Sequence, residues 1–167
     1  MEQIYLKARD GYKLDLHVYT FNTILDNCCD CKRAMLEEYQ DRYTYFANEL
    51  NKANFIVVTS NMRGHGESAP LLGYFSDKRG DIELINDQKT ILEYIKSEYK
   101  NLPIYLFGHS MGTIIARNLL QDTSNEYNKV ILCGYPSSNP AANIAVVLAK
   151  TIQLFKGKKV KSKLLKS

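Results

Sequence analysis

The stretch "LFGHSMGTIIARNLL", Leu106–Leu120, decides the fold. Apolar residues crowd into Ile104–Gly108 behind Pro103, as in a strand buried on both faces. From Met111 to about Gln121 the pattern is that of a helix. Between them stands Ser110, with Gly108 and Gly112 two residues to either side. A strand that turns straight into a helix leaves little room for side chains at those flanking positions. Two glycines around a serine therefore fit a tight elbow that presents a hydroxyl. The serine at such a tip takes a strained backbone conformation. The unsatisfied N–H groups at the helix start point toward developing negative charge. Ser110 is the candidate nucleophile, and the backbone N–H of Met111 the candidate oxyanion donor.

Outward from the elbow, the rest of the chain predicts an α/β fold. Gln3–Lys7 and Lys13–Thr20 alternate apolar and polar residues around "RDG", Arg9–Gly11, which reads as a hairpin with an Asp-Gly turn. Glu37–Lys52 carries Tyr39, Tyr43, Phe46 and Leu50 at helical spacing. "FIVVTS", Phe55–Ser60, fits a buried strand, and "NMRGHGES", Asn61–Ser68, a glycine-rich loop around His65. A helix is predicted from Gly80 to about Tyr99, with Asp81 as its N-cap and an apolar stripe through Ile85, Ile91, Leu92, Ile95 and Tyr99. Lys129–Gly134 is one more strand, and Ala141–Phe155 a last amphipathic helix. A hairpin followed by alternating strands and helices implies parallel pairing after the hairpin. Ligands of such sheets bind at the carboxyl ends of the strands, where both Ser110 and the Asn61–Ser68 loop fall.

Composition excludes some classes of partner. Six of the 22 basic residues are lysines beyond Phe155, which leaves 16 basic residues against 18 acidic in the body. The positive charge thus belongs to a tail, and no nucleic-acid-binding face is expected. The tail is a candidate for contact with an anionic membrane surface, although a solvated end is the plainer expectation. No apolar run reaches the ~18 residues of a membrane span. The N-terminus lacks the pattern of a signal peptide, so the chain is expected to be cytoplasmic. Cys28, Cys29 and Cys31 lie in "CCDC" without the paired spacing of a zinc site, and no histidine is close in sequence. These cysteines and Cys133 are expected as free thiols. No metal ion and no cofactor are expected, and the sequence leaves the oligomeric state open.

"GHSMG" together with "RGHGES" resembles the α/β-hydrolase family, in the branch of monoacylglycerol lipases, lysophospholipases and the serine aminopeptidase S33 group. "DGYKL", "LGYFSDKRG" and "LAKTIQLFKGKKVKSKLL" read like stretches of those proteins in the same order. The resemblance implies hydrolysis of carboxylic esters, often of lipids, through an acyl-enzyme. It implies a partial hydrolase core over residues 1–140, with residues 141–167 as the start of a helical cap and a lysine-rich tail. It further implies a structural role for the His65 loop.

The sequence departs from that family in two places. A serine hydroxyl needs a general base, and the family supplies an Asp and then a His after the serine. The histidines here are His17, His65 and His109, and none follows Ser110. His17 alternates with core positions of the hairpin, the His109 side chain is expected to aim away from the cleft, and Asp122 falls at the wrong end of the serine helix. Upstream, "AMLEEYQDRY", Ala34–Tyr43, resembles the tail of the motif that provides the second oxyanion N–H. Arg33–Ala34 stands where His-Gly is expected, and "TILDNCCDCK" where the family has a buried third strand. Asp26, Asn27, Asp30 and Lys32 suit such a strand poorly, which leaves Thr23–Leu25 as the candidate for its slot. The expectation is a truncated, locally altered N-terminal portion of a lipase-like hydrolase, inactive or very weakly active on its own because the triad Asp and His are absent. A non-catalytic protein that binds a lipid or a partner through the cleft is the alternative, and an aminopeptidase-type enzyme the second.

Overall fold

The computed structural model describes residues 1–20, 32–37, 43–66, 69–77 and 79–134, with the backbone alone for 32–37. Two strands open the chain, β1 (Glu2–Lys7) and β2 (Lys13–Tyr19). They pair antiparallel, with Leu6 opposite Leu14 and Glu2 opposite Val18. The turn between them closes through a hydrogen bond from the Gly11 N–H to the Ala8 carbonyl, 2.9 Å, and Gly11 takes φ 87°, where a side chain would be strained.

There follow β3 (Lys32–Glu37), α1 (Thr44–Lys52), β4 (Phe55–Ser60), α2 (Gly80–Glu98), β5 (Ile104–His109), α3 (Met111–Thr123), a short 3-10 turn (Ser124–Glu126) and β6 (Lys129–Cys133). The six strands form one sheet in the order β1-β2-β4-β3-β5-β6. β2 runs antiparallel to β4, while β4, β3, β5 and β6 are mutually parallel. The expected α/β architecture, a hairpin and then parallel strands alternating with helices, is the one observed.

One face of the sheet buries Leu14, Leu16, Val18, Ile56, Val58, Ile104 and Leu106 against Ile91, Leu92 and Ile95 of α2 and Ala116 and Leu119 of α3. On the other face Tyr19, Val57 and Phe107 pack with Ala47 and Leu50 of α1. β4 is buried at five of its six positions because helices cover both its faces, as its β-branched run Ile56–Thr59 predicts.

Three local expectations need correction. The slot between β4 and β5 is filled by Lys32–Glu37, not by Thr23–Leu25. Its apolar centre, Ala34–Leu36, is only three residues long and is bracketed by Lys32, Arg33 and Glu37, too short a run to register as a strand buried on both faces. The helix expected from Glu37 begins at Thr44, because Glu37 is still paired in the sheet beside Gly108. Arg79, not Asp81, occupies the N-cap of α2; Asp81 lies in the first turn and binds the Arg79 guanidinium at 3.0 Å. The cysteines of "CCDC", the Ala141–Phe155 helix and the lysine-rich tail lie outside the described residues.

Candidate active site

β5 ends at His109 and α3 begins at Met111, so Ser110 is the entire connection. Its backbone sits at φ 53° and ψ −119°, in a region costly for any residue with a Cβ. Serine is a common N-cap, and a capping serine spends its hydroxyl on an N–H of the first helical turn. Ser110 occupies the N-cap position of α3 but makes no side-chain capping bond, and its φ is not that of a capping residue. Its hydroxyl is not committed to ending the helix.

The elbow is fixed on every side. The Ser110 N–H donates to the Cys133 carbonyl at 3.0 Å, and the Ser110 carbonyl accepts from the N–H and from the hydroxyl of Thr113, at 3.0 and 2.7 Å. A Cβ added at Gly108 would lie 2.9 Å from the Gly112 carbonyl oxygen and 3.3 Å from the Ala116 Cβ. The backbone of β5 thus runs against the first turn of α3. Gly112 is buried at that contact. As the first residue of α3, Met111 has an N–H with no carbonyl four residues back in the helix. That leaves it available to a negative oxygen next to Ser110.

Parallel pairing places the C-terminal ends of β3, β4, β5 and β6 on one side of the sheet. Glu37 lies beside Gly108 and His109 beside Cys133. The connection after β3, expected to offer a second oxyanion N–H, falls at 38–42, outside the described residues.

The histidines are placed as follows. His109 accepts from or donates to the Tyr43 hydroxyl through Nδ1 at 2.9 Å, with the two rings edge to face. His65 stacks on Phe75, ring centroids 5.8 Å apart, with Nδ1 3.3 Å from the Arg63 carbonyl oxygen. His17 is half-buried on β2, opposite Gln3 and Thr59. β2 is three strand spacings from β5, about 14 Å. Asp122 pairs with Lys89 at 2.6 Å and lies twelve residues along α3 from Ser110, about 18 Å at ~1.5 Å per residue. None of these groups forms a triad with Ser110. Among the described residues no cluster of metal-ligating side chains occurs.

Sequence reasoning missed three supporting groups. Thr113, fully buried, was legible as a hydroxyl residue three positions after the serine, the spacing of a side chain that bonds back to a helical carbonyl. Tyr43 contacts His109 only because the fold brings α1 to β5. The third is Arg63, in the loop after β4, with 1% of its side chain exposed. Its guanidinium makes two 2.7 Å bonds to the Asp87 carboxylate, a third to Asp10 at 2.7 Å, and one to the Phe75 carbonyl at 3.2 Å. It also lies over the Tyr12 ring at 4.7 Å. Burial works against the Arg63 charge, but its hydrogen bonds to Asp87 and Asp10 outweigh that and push its pKa up. The Arg63 hydrogen bond holds the Asp10 carboxyl below the usual range. Burial pushes Asp87 up against the pull of the same guanidinium.

A hairpin leading into a parallel sheet, with a serine at a positive-φ kink between a central strand and its helix, defines an α/β-hydrolase core. The family described as "Serine aminopeptidase, S33" matches residues 36–167, well over half of the sequence, and the chain belongs to that family. Among curated proteins it is similar to the monoacylglycerol lipase of Mycolicibacterium smegmatis, 28% identical over 111 residues, covering 66% of this chain and 38% of that protein. It is likewise similar to a monoglyceride lipase homolog of Monkeypox virus, 28% identical over 102 residues and covering 57% of this chain and 33% of that protein.

Among solved structures, a thermostable carboxyl esterase of Bacillus coagulans superposes with TM-score 0.76 at 24% identity, over 98% of this chain and 53% of its own. A monoglyceride lipase of Saccharomyces cerevisiae gives TM-score 0.68 at 20% identity, over 92% and 52%. The chain spans about a third of the curated relatives' length and about half of the solved ones.

Proposed function

We propose that this chain carries the nucleophile portion of a serine hydrolase of carboxylic esters, of the monoacylglycerol or lysophospholipid type. One observation carries the reading: the strained, uncapped backbone of Ser110 at the open end of β5. Ser110 Oγ attacks the ester carbonyl carbon while its proton passes to a general base. The proton then goes to the departing alkoxide as the C–O bond breaks, and water cleaves the resulting acyl–serine ester by the same exchange. The Met111 N–H stabilises the oxyanion of each addition step. Residues 1–140 serve as the core of the catalytic domain, and 141–167 begin the cap over the acyl group. The named lipases among the relatives support a lipid ester as substrate. The aminopeptidase name of the family makes an amide bond the second substrate class, which turnover of an amino-acid nitroanilide beside the ester tests.

A second reading rests on the placement of His17, His65 and His109, none of which reaches Ser110. On that reading the chain binds a lipid or a partner without catalysis. A fluorophosphonate probe and a short-chain nitrophenyl ester separate the two. Slow labelling and turnover, both abolished by Ser110→Ala, support the hydrolase. Complete inertness of well-folded protein overturns it.

A further inference from the structure

β5 divides its side chains between the two faces of the sheet. Leu106 is buried against α2 and α3, whereas Phe107 lies on the α1 side, and Tyr105 shares that side two residues earlier. α1 is only nine residues long and packs on β2 and β4. The Tyr105 and Phe107 rings are therefore half-buried. They floor an apolar groove of about 200 Å³, walled by Phe46 and Leu50 of α1 and by Ile131 of β6. Phe46 meets the Phe107 ring at 5.5 Å between centroids and is itself 39% exposed, and Ile131 is 54% exposed.

One charge stands in this lining, that of Lys129. The register sets Lys129 beside Tyr105 and Ile131 beside Phe107, so the cation occupies the end of the groove away from Ser110. Its backbone is pinned there by Asn128, whose carboxamide oxygen accepts from the Ile104 N–H at 2.9 Å and whose own N–H donates to the Ile104 carbonyl at 2.8 Å. Lys52, Lys89 and Lys96 each hold a carboxylate. Lys129 has no such partner among the described residues.

We propose that this groove binds a single long-chain carboxylate, its alkyl chain along Tyr105, Phe107 and Ile131 and its head on the Lys129 ammonium. The lining is apolar apart from one positive charge, and its complement is an apolar chain with one negative charge. A bilayer surface is recognised by clusters of about 4–8 basic residues, whereas the groove offers one. A second copy docked symmetrically would bring two unpaired Lys129 ammoniums into one interface. Five residues separate Tyr105 from Ser110, about 16 Å at ~3.3 Å per residue. The head is thus bound well away from the nucleophile, and the site rests on the groove itself, not on the reading of Ser110.

Calorimetric titration of the full chain with octanoate, decanoate, dodecanoate and dodecanol, each below its micelle threshold, tests the site. One-to-one saturable binding is expected, tightening about fourfold per methylene from octanoate to decanoate. Dodecanol is expected to bind about fivefold more weakly than dodecanoate, the upper end for an exposed ion pair. Lys129→Glu should weaken dodecanoate about 10-fold and leave dodecanol unchanged, while Ile131→Glu weakens both; the two positions are exposed, so circular dichroism stays the same. Methyl resonances of Leu50 and Ile131 should shift with dodecanoate, equally in Ser110→Ala. Absence of saturable binding, equal affinity for acid and alcohol, or indifference to Lys129→Glu overturns the proposal. So do shifts confined to the elbow, preference for phosphatidylserine vesicles over monomeric dodecanoate, or a dimer that dodecanoate does not dissociate. Lysine-dependent binding by a chain whose Ser110 takes no fluorophosphonate upholds the groove and counts against the hydrolase reading alone.

Discussion

Ser110 holds a backbone conformation that a residue without a Cβ holds more cheaply, and a core confers no advantage from keeping serine there. Strain of this kind costs about 1–3 kcal/mol. Ser110→Gly is therefore expected to raise stability by roughly 1 kcal/mol in urea denaturation while removing all fluorophosphonate labelling. A loss of stability in that variant would mean that the hydroxyl has a structural bond. The neighbouring glycine has the opposite sensitivity. Gly108→Ala forces a methyl to 2.9 Å from the Gly112 carbonyl, on a backbone that cannot yield without moving α3. Its expected cost is about 1–3 kcal/mol, read as a lower urea midpoint. An unchanged midpoint would show that the elbow has slack. Both effects were legible in "GHSMG", because the pattern constrains the backbone directly. The Thr113 bond was legible in principle from its spacing. The Tyr43–His109 contact was not, since 66 residues separate the pair.

Between elements, Arg63 joins the hairpin turn, the loop after β4 and α2. Asp87→Ala leaves that cation buried without its most buried carboxylate partner, and is expected to cost about 3–5 kcal/mol. Chemical denaturation checks it; a cost below 1 kcal/mol would show that water or Asp10 takes over. Asp10 is a third exposed, so its share is smaller, about 1 kcal/mol. Its folded pKa is depressed by Arg63. The sign follows: the stability it contributes is present above the ordinary carboxylate pKa and is lost as pH falls through the depressed one. Asp10→Asn is thus expected to be less stable than wild type at neutral pH, with the gap closing in acid. Nothing in the sequence pattern singles out Arg63, Asp10 and Asp87 as partners, because an ion pair leaves no periodicity. β3 escaped for a related reason. A central strand is recognised by a long apolar run, and "KRAMLE" has only three apolar residues in the middle.

Among the described residues, helices cover both faces of β4 and β5, whereas β6 lies at the margin of the sheet with every residue exposed. Native-state hydrogen exchange is expected to follow that gradient. Amides of β4 and β5 should exchange only through global unfolding, and those of β6 through cheap local opening. Equal protection across the sheet would show that the β6 edge is covered. The α/β class, the hairpin, β4, β5 and the start of α3 were all readable, because burial on two faces and abrupt turns leave strong marks in sequence. The Arg63 junction has a consequence for how the protein is made. Its guanidinium draws on Asp10, Phe75 and Asp87 at once. That set of bonds is complete only once Asp87 has left the ribosome, so this junction closes well after the hairpin it joins has been synthesised.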